Sequence, residues 1–89
     1  MSDDIFQFPP ELTIYQAQDM GNKLRDAWLS GTRAFDVSAI TSLDASGAQL
    51  LASVQKTAEH QHEPITWKGW TAEASDVLSV LGMNRILGL

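Results

Sequence analysis

The strongest constraint on the fold is the alternation, along the chain, of short strand-like runs with segments of helical periodicity. Alternating apolar and polar residues predict strands at residues 5–8, 33–38 and 65–69. Prolines 9 and 10 end the first strand, which we expect at a sheet edge, and the second strand is expected to be central. Strands separated by helices form right-handed crossovers and parallel pairs, so the chain is predicted to be an α/β domain with helices packed on its sheet.

Capping signals predict where the first helix begins and ends. Thr13 and Gln16 have the spacing of a capping box, so a helix should begin near Ile14 and stop at residues 30–31. Its inward face is predicted to carry five residues at helical spacing: Ala17, Met20, Leu24, Ala27 and Trp28.

Similar signals predict two further helices. Asp44 is a natural N-cap for the second helix, which should end within residues 60–64, and Gly47 in its first turn would let another backbone approach closely. Its predicted inward residues are Ala48, Leu51, Val54, Gln55 and Ala58. Thr71 should cap a third helix that closes at Gly82, leaving residues 85–89 as a short strand or a tail.

Length and composition limit the classes of function. The 89 residues are enough for a single domain, 1–89. The net charge of −5 and the scattered basic residues argue against nucleic acid and anionic membrane surfaces as partners. The apolar runs are far shorter than the roughly 20 residues of a membrane span. The chain has no cysteine, and its acidic N-terminus does not resemble a secretory signal, so we predict a cytoplasmic protein.

Few residues suggest catalysis or metal binding. His60 and His62 lie near Glu59 and Glu63, but the chain holds no further histidine and no cysteine to complete a zinc site. The serines lack a Gly-x-Ser-x-Gly motif or a neighbouring histidine, and no glycine-rich phosphate loop is present. We therefore predict no enzymatic activity, no metal and no cofactor.

Two carboxylates and one tryptophan are the candidates for recognition. Asp36 lies on the predicted central strand and Asp44 begins the following helix, so the two could come close together. Each residue could instead have a local role, Asp44 as a cap and Asp36 within a loop. Trp70, at the end of a strand, is predicted to be a partly exposed contact residue.

Residues 35–51 (FDVSAITSLDASGAQLL) resemble the signature of STAS domains, the family of anti-sigma-factor antagonists and sulfate-transporter tails. That signature is a strand ending in Asp-Leu-Ser, a short loop, then Asp-Ser/Thr-Ser/Ala-Gly and an apolar helix. The resemblance extends over about residues 11–87. It implies a STAS-like mixed β-sheet of about four to five strands with helices mainly on one face, and a bacterial regulatory protein. The chain is shorter at its N-terminus than most of the family, so one strand is expected to be trimmed.

In the family, the residue after the motif aspartate is a serine or threonine that a partner kinase phosphorylates. Carried over, the motif aspartate is Asp44, the acceptor position is Ala45, and Ser46 and Gly47 follow. Alanine has no hydroxyl, so the usual phosphoswitch cannot operate at position 45. Ser46 is a possible displaced acceptor, although its side chain points about 100° further around the helix.

The resemblance implies a non-enzymatic adaptor that docks a partner protein through the start of its second helix. The partner would be a serine kinase or anti-sigma factor, a chemosensory protein, or an ABC transport ATPase. The predicted contact residues are Asp36, Ser42, Asp44, Ala45, Ser46, Gly47 and Gln49. Two alternatives stay open at this point: a sensor of a small ligand such as a nucleotide or lipid, and a structural subunit that binds without switching.

Overall fold

A computed structural model describes residues 4–89 of the chain as eight short elements. In chain order they are β1 (Ile5–Gln7), β2 (Glu11–Leu12), α1 (Ile14–Leu29), β3 (Ala34–Asp36), β4 (Ser42–Leu43), α2 (Ala45–His60), β5 (Thr66–Lys68) and α3 (Ala72–Val80). The predicted α/β class and the number of strands are confirmed.

The strands form two small sheets whose pairings are all parallel within the described residues. The larger sheet has the order β1-β3-β5, so β3 is central and β1 lies at an edge, as predicted. In the smaller sheet, β2 pairs with β4. A mixed sheet was expected, and the pairings among the described residues are parallel. Consecutive strands of the larger sheet are connected through α1 and then through α2, and parallel strands require such long crossover connections.

The predicted helix starts are confirmed by their hydrogen bonds. Thr13 and Gln16 form the complete capping box of α1, Asp44 caps α2 and Thr71 caps α3. The first helix ends with Ser30 as its C-cap, as predicted, and α2 ends at His60. These caps satisfy N–H groups that have no partner inside a helix, which is why short polar side chains determine where each helix begins.

One core joins the larger sheet to all three helices. Phe35 of β3 is 1% exposed and contacts a cluster that includes Leu24 of α1, Leu51 of α2 and Leu78 of α3. Trp67, its register partner on β5, lies 5.3 Å from Phe35 between ring centroids and donates a 2.8 Å hydrogen bond to Gln55 of α2. The helices therefore cover one face of this sheet, which confirms the expected one-sided arrangement.

The β2–β4 pair was not predicted, because strands were expected only at residues 5–8, 33–38 and 65–69 before the tail. The carbonyl of Pro10 accepts hydrogen bonds from the backbone N–H groups of Thr41, at 2.8 Å, and Ser42, at 3.1 Å. Proline cannot donate a backbone hydrogen bond, but its carbonyl still accepts one. The proline pair thus ends β1 without preventing the next residues from pairing with β4. At the other end of the chain, residues 85–88 form turns rather than a strand, so the tail alternative is the one observed.

Candidate protein-docking site

The Asp44 carboxylate links the starts of α1 and α2. Its Oδ1 accepts the N–H of Gly47 at 3.0 Å within α2, and its Oδ2 accepts the N–H of Ile14, the first residue of α1, at 2.9 Å. One side chain therefore satisfies donors at two helix ends that are 30 residues apart in the sequence. The result is a single surface formed by both helix starts.

The charge of Asp44 is stabilised by these contacts. The N–H of Gly47 and then the N–H of Ile14 lower the pKa of Asp44 below its ordinary value. Helix N-termini carry partial positive charge, which favours the ionised carboxylate further. Asp44 is therefore an anion at neutral pH, and its negative charge is balanced by protein groups.

Gly47 lets α2 lie directly against the backbone of β2. A Cβ atom at this position would be 2.0 Å from the carbonyl oxygen of Leu12 and 2.8 Å from Cδ1 of Leu43. The predicted close approach of another backbone is confirmed. Gly47 is buried, and its role in any interface is to hold the first turn of α2 in position.

The other predicted contact residues of this region differ in exposure. Ser42, Ala45 and Gln49 are exposed, whereas Ser46 is half-buried. Small side chains on the exposed first turn leave the backbone accessible to a partner. The start of α2 therefore presents small exposed side chains beside the ionised carboxylate of Asp44.

Asp36 lies apart from this surface. It alternates with the buried Phe35 on β3, so it lies on the sheet face opposite the helices, in register with Gln7 and Lys68. Its Oδ1 accepts the Ser38 hydroxyl at 2.6 Å and the Ser38 N–H at 2.8 Å, and these two bonds lower its pKa. Asp36 and Asp44 thus bind different groups, and Asp36 makes the local hydrogen bonds that the alternative interpretation expected.

Trp70 is half-buried, in agreement with the prediction of partial exposure. Its ring centroid lies 5.3 Å from that of Trp67, and its side chain contacts the core. Most of its apolar surface is therefore already used within the domain.

Two large apolar side chains beside the candidate site were missed by the sequence analysis. Ile14 and Tyr15, the first two residues of α1, are 65% and 90% exposed. The hydrogen bond between Ile14 and Asp44 places them next to the start of α2. Tyr15 lies on the same side of α1 as the polar residue Asp19, away from the apolar residues that face the core. This spacing is the signal from which the exposure of Tyr15 could have been predicted.

The residues considered for other chemistry do not converge. His60 is the last residue of α2, and His62 follows it in a turn with φ of 56°. Within residues 4–89, no three His, Cys, Asp or Glu side chains come together as a set that could hold a metal ion. No helix in that range has both the length and the apolar character needed to cross a bilayer.

The chain was compared with models of known protein families. The family model described as "Mlab, STAS domain" matches residues 10–88, which is nearly the entire chain. The matched range includes β2, all three helices and the complete candidate site. No curated protein sequence matches the chain significantly.

Proposed function

Because the chain belongs to the STAS domain family, we propose that it is a regulatory adaptor that binds another protein through the joined starts of α1 and α2. STAS domains are generally non-enzymatic modules that interact with other proteins. The observation that carries the proposal is the bridging Asp44 carboxylate, which holds two helix starts together as one exposed surface.

The composition of this surface suits protein binding. Ala45 and Gln49 offer small or adaptable contacts, and Ile14 and Tyr15 offer exposed apolar area at its edge. Tyrosine is enriched at protein interfaces because its ring buries a large apolar area while its hydroxyl can remain hydrated. Docking of a partner would bury the side chains of Ile14 and Tyr15, which pack little against the rest of the domain.

The resemblance offers three classes of partner: a serine kinase or anti-sigma factor, a chemosensory protein, and an ABC transport ATPase. A negative charge at position 45 would oppose docking of any of them, because it would lie beside the ionised Asp44 on a surface suited to close approach.

A pair of matched substitutions tests the docking surface. Ala45 and Ala72 are both exposed and are both the first residue of a helix, α2 and α3 respectively. Glutamate is compatible with the first turn of a helix, so Ala45→Glu and Ala72→Glu should both fold. Affinity capture from cells with wild type and the two variants should retain a partner on wild type and Ala72→Glu and lose it on Ala45→Glu. Equal retention of the partner on all three proteins would show that the interface does not include the start of α2.

Ser46 is proposed as the position at which phosphorylation would control docking. It occupies the second position of α2 and is half-buried beside Asp44. A phosphate there would add a charge of about −1.5 to −2 next to an existing carboxylate on the docking surface. Ser46→Asp should weaken binding of the captured partner and Ser46→Ala should not. If the protein were a structural subunit without a switch, Ser46→Asp and Ser46→Ala would bind the partner equally well.

The helix starts do not suit the alternative of a nucleotide sensor. An anion usually binds at a helix start through free backbone N–H groups, but Asp44 already occupies the N–H groups of Ile14 and Gly47. A nucleotide phosphate would also face the charge of that carboxylate. Thermal-shift measurements with nucleotides should therefore show no stabilisation. A nucleotide that did bind, present at 100 times its dissociation constant, would raise the free energy of unfolding by about 2.7 kcal/mol.

A further inference from the structure

A groove lies between α1 and α2, separate from the surface formed by the helix starts. It has a volume of about 230 Å³ and its walls are mainly apolar, formed by Leu24, Trp28 and Leu29 of α1 and by Leu50 and Val54 of α2. Leu29 is 76% exposed, so part of this apolar wall faces solvent. The docking proposal does not use these residues.

The charged side chain that lines this groove is basic, although the chain as a whole is acidic. Arg25 lines the groove, and Lys56 and His60 line a shallow depression that shares Ser53 and Thr57 with it. No carboxylate lines either concavity among the described residues. The net charge of the chain is −5, so two concavities lined by basic side chains and by no carboxylate differ from the average surface of the protein.

The two cations at this site, Arg25 and Lys56, form no ion pair with the described residues. Within residues 4–89, the salt bridges are those of Lys23 with Asp19 and of Arg33 with Glu63. Neither pair includes Arg25 or Lys56. Their donors are therefore available to an anion from outside the chain.

We propose that this groove binds a small organic anion, with its apolar body between α1 and α2 and its charged group at Arg25. The volume lies between the roughly 150 Å³ of an apolar cavity that binds benzene and the roughly 300 Å³ at which drug-sized pockets begin. A single aromatic ring or a short alkyl chain bearing a carboxylate matches both the size and the charge.

The basic side chain at the groove argues against a neutral occupant. A neutral apolar ligand would fill the groove but would leave Arg25 without a partner. The groove lies outside the α2 start, so the two proposals are independent and can fail separately.

Amide NMR spectra of isotope-labelled protein, titrated with sodium octanoate, octanol and octylammonium, test the proposal directly. For so small a ligand we expect a dissociation constant of roughly 1 mM, so titration to about 10 mM would approach saturation. Octanoate should shift the amides of Arg25, Leu50 and Val54. Octanol and octylammonium should each bind at least about fivefold more weakly, because they lack the charge that Arg25 would contact.

Two substitutions complete the test. Arg25→Gln removes the charge at an exposed position and should reduce octanoate affinity about fivefold, to the level of octanol. Lys23→Gln is the matched control, since Lys23 lies two residues away on α1 but is paired with Asp19 and does not line the groove. Ser53→Phe would fill the mouth of the groove and should abolish binding.

Three outcomes would overturn the proposal. The first is no octanoate-dependent shift near the groove at saturation. The second is equal binding of octanol and octanoate, which would show that charge plays no part. The third is an equal loss of affinity in Lys23→Gln and Arg25→Gln, which would indicate a general electrostatic effect.

Discussion

Replacing Gly47 with alanine adds a single methyl group, but it should destabilise the domain strongly. The new Cβ atom would lie 2.0 Å from the Leu12 carbonyl oxygen, 2.9 Å from the Leu12 carbonyl carbon and 2.8 Å from Cδ1 of Leu43. Ordinary contacts of a Cβ atom begin above 3 Å, so α2 would have to move away from β2 by about 1 Å. The obstacle is a backbone group held by the β2–β4 pairing, so a side-chain rotation cannot relieve the overlap.

The magnitude follows from two opposing contributions. Overpacking a well-packed site costs about 1–3 kcal/mol, and the rigidity of this neighbour favours the upper end or beyond. Alanine in a helix regains about 0.5–1 kcal/mol relative to glycine. We expect a net loss of about 2–3 kcal/mol, equivalent to a fall in Tm of roughly 10–20 °C for a domain of this size.

Gly21 provides the matched control within the same fold. It lies in the interior of α1, and a Cβ atom there would meet Cδ1 of Leu50 at 3.7 Å, an ordinary van der Waals distance. Gly21→Ala should therefore raise stability by about 0.5–1 kcal/mol. Urea and thermal unfolding, monitored by circular dichroism and tryptophan fluorescence, would measure both variants. If Gly47→Ala were as stable as wild type, the inferred close contact between α2 and β2 would be wrong.

The remaining predictions concern the caps and the core. The lowered pKa of Asp44 means that its stabilising contribution is present above its unfolded pKa and is lost as the pH falls through its folded pKa. Between about pH 5 and pH 3, wild type should thus lose more stability than Asp44→Asn, and parallel pH slopes would contradict this. Thr13→Ala removes the capping box of α1 and should cost about 1 kcal/mol in urea unfolding, whereas an unchanged midpoint would mean that solvent replaces the cap. Leu51→Ala, at a fully buried position, should cost about 2–5 kcal/mol by the same measurement, and a cost below about 1 kcal/mol would contradict its place in the core.

Local patterns in the sequence were sufficient to predict most of the fold. The caps at Thr13, Asp44 and Thr71 are short-range signals, because each side chain binds backbone groups two or three residues away. The alternation in the strands placed Phe35 and Trp67 on the buried face for a similarly local reason. These features depend on residue type and spacing, both of which can be read directly.

Contacts between distant segments were not predictable in this way. The carboxylate of Asp44 also accepts the N–H of Ile14, and no pattern near residue 44 indicates a partner 30 positions upstream. The β2–β4 pair depends on the Pro10 carbonyl, in a segment whose prolines suggested that pairing had ended. The exposure of Tyr15 similarly depends on how α1 lies relative to the rest of the fold. The candidate site was therefore predicted as the start of one helix, whereas the structure forms it from two.

The most direct test of the docking account is the affinity of the purified partner, once captured, for wild type, Ala45→Glu and Ala72→Glu, measured by isothermal titration calorimetry. The account predicts that Ala72→Glu binds like wild type and that Ala45→Glu binds at least about tenfold more weakly, a difference of about 1.4 kcal/mol. Equal affinities for all three proteins would contradict it, since a partner seated on the start of α2 could not tolerate a carboxylate at its centre.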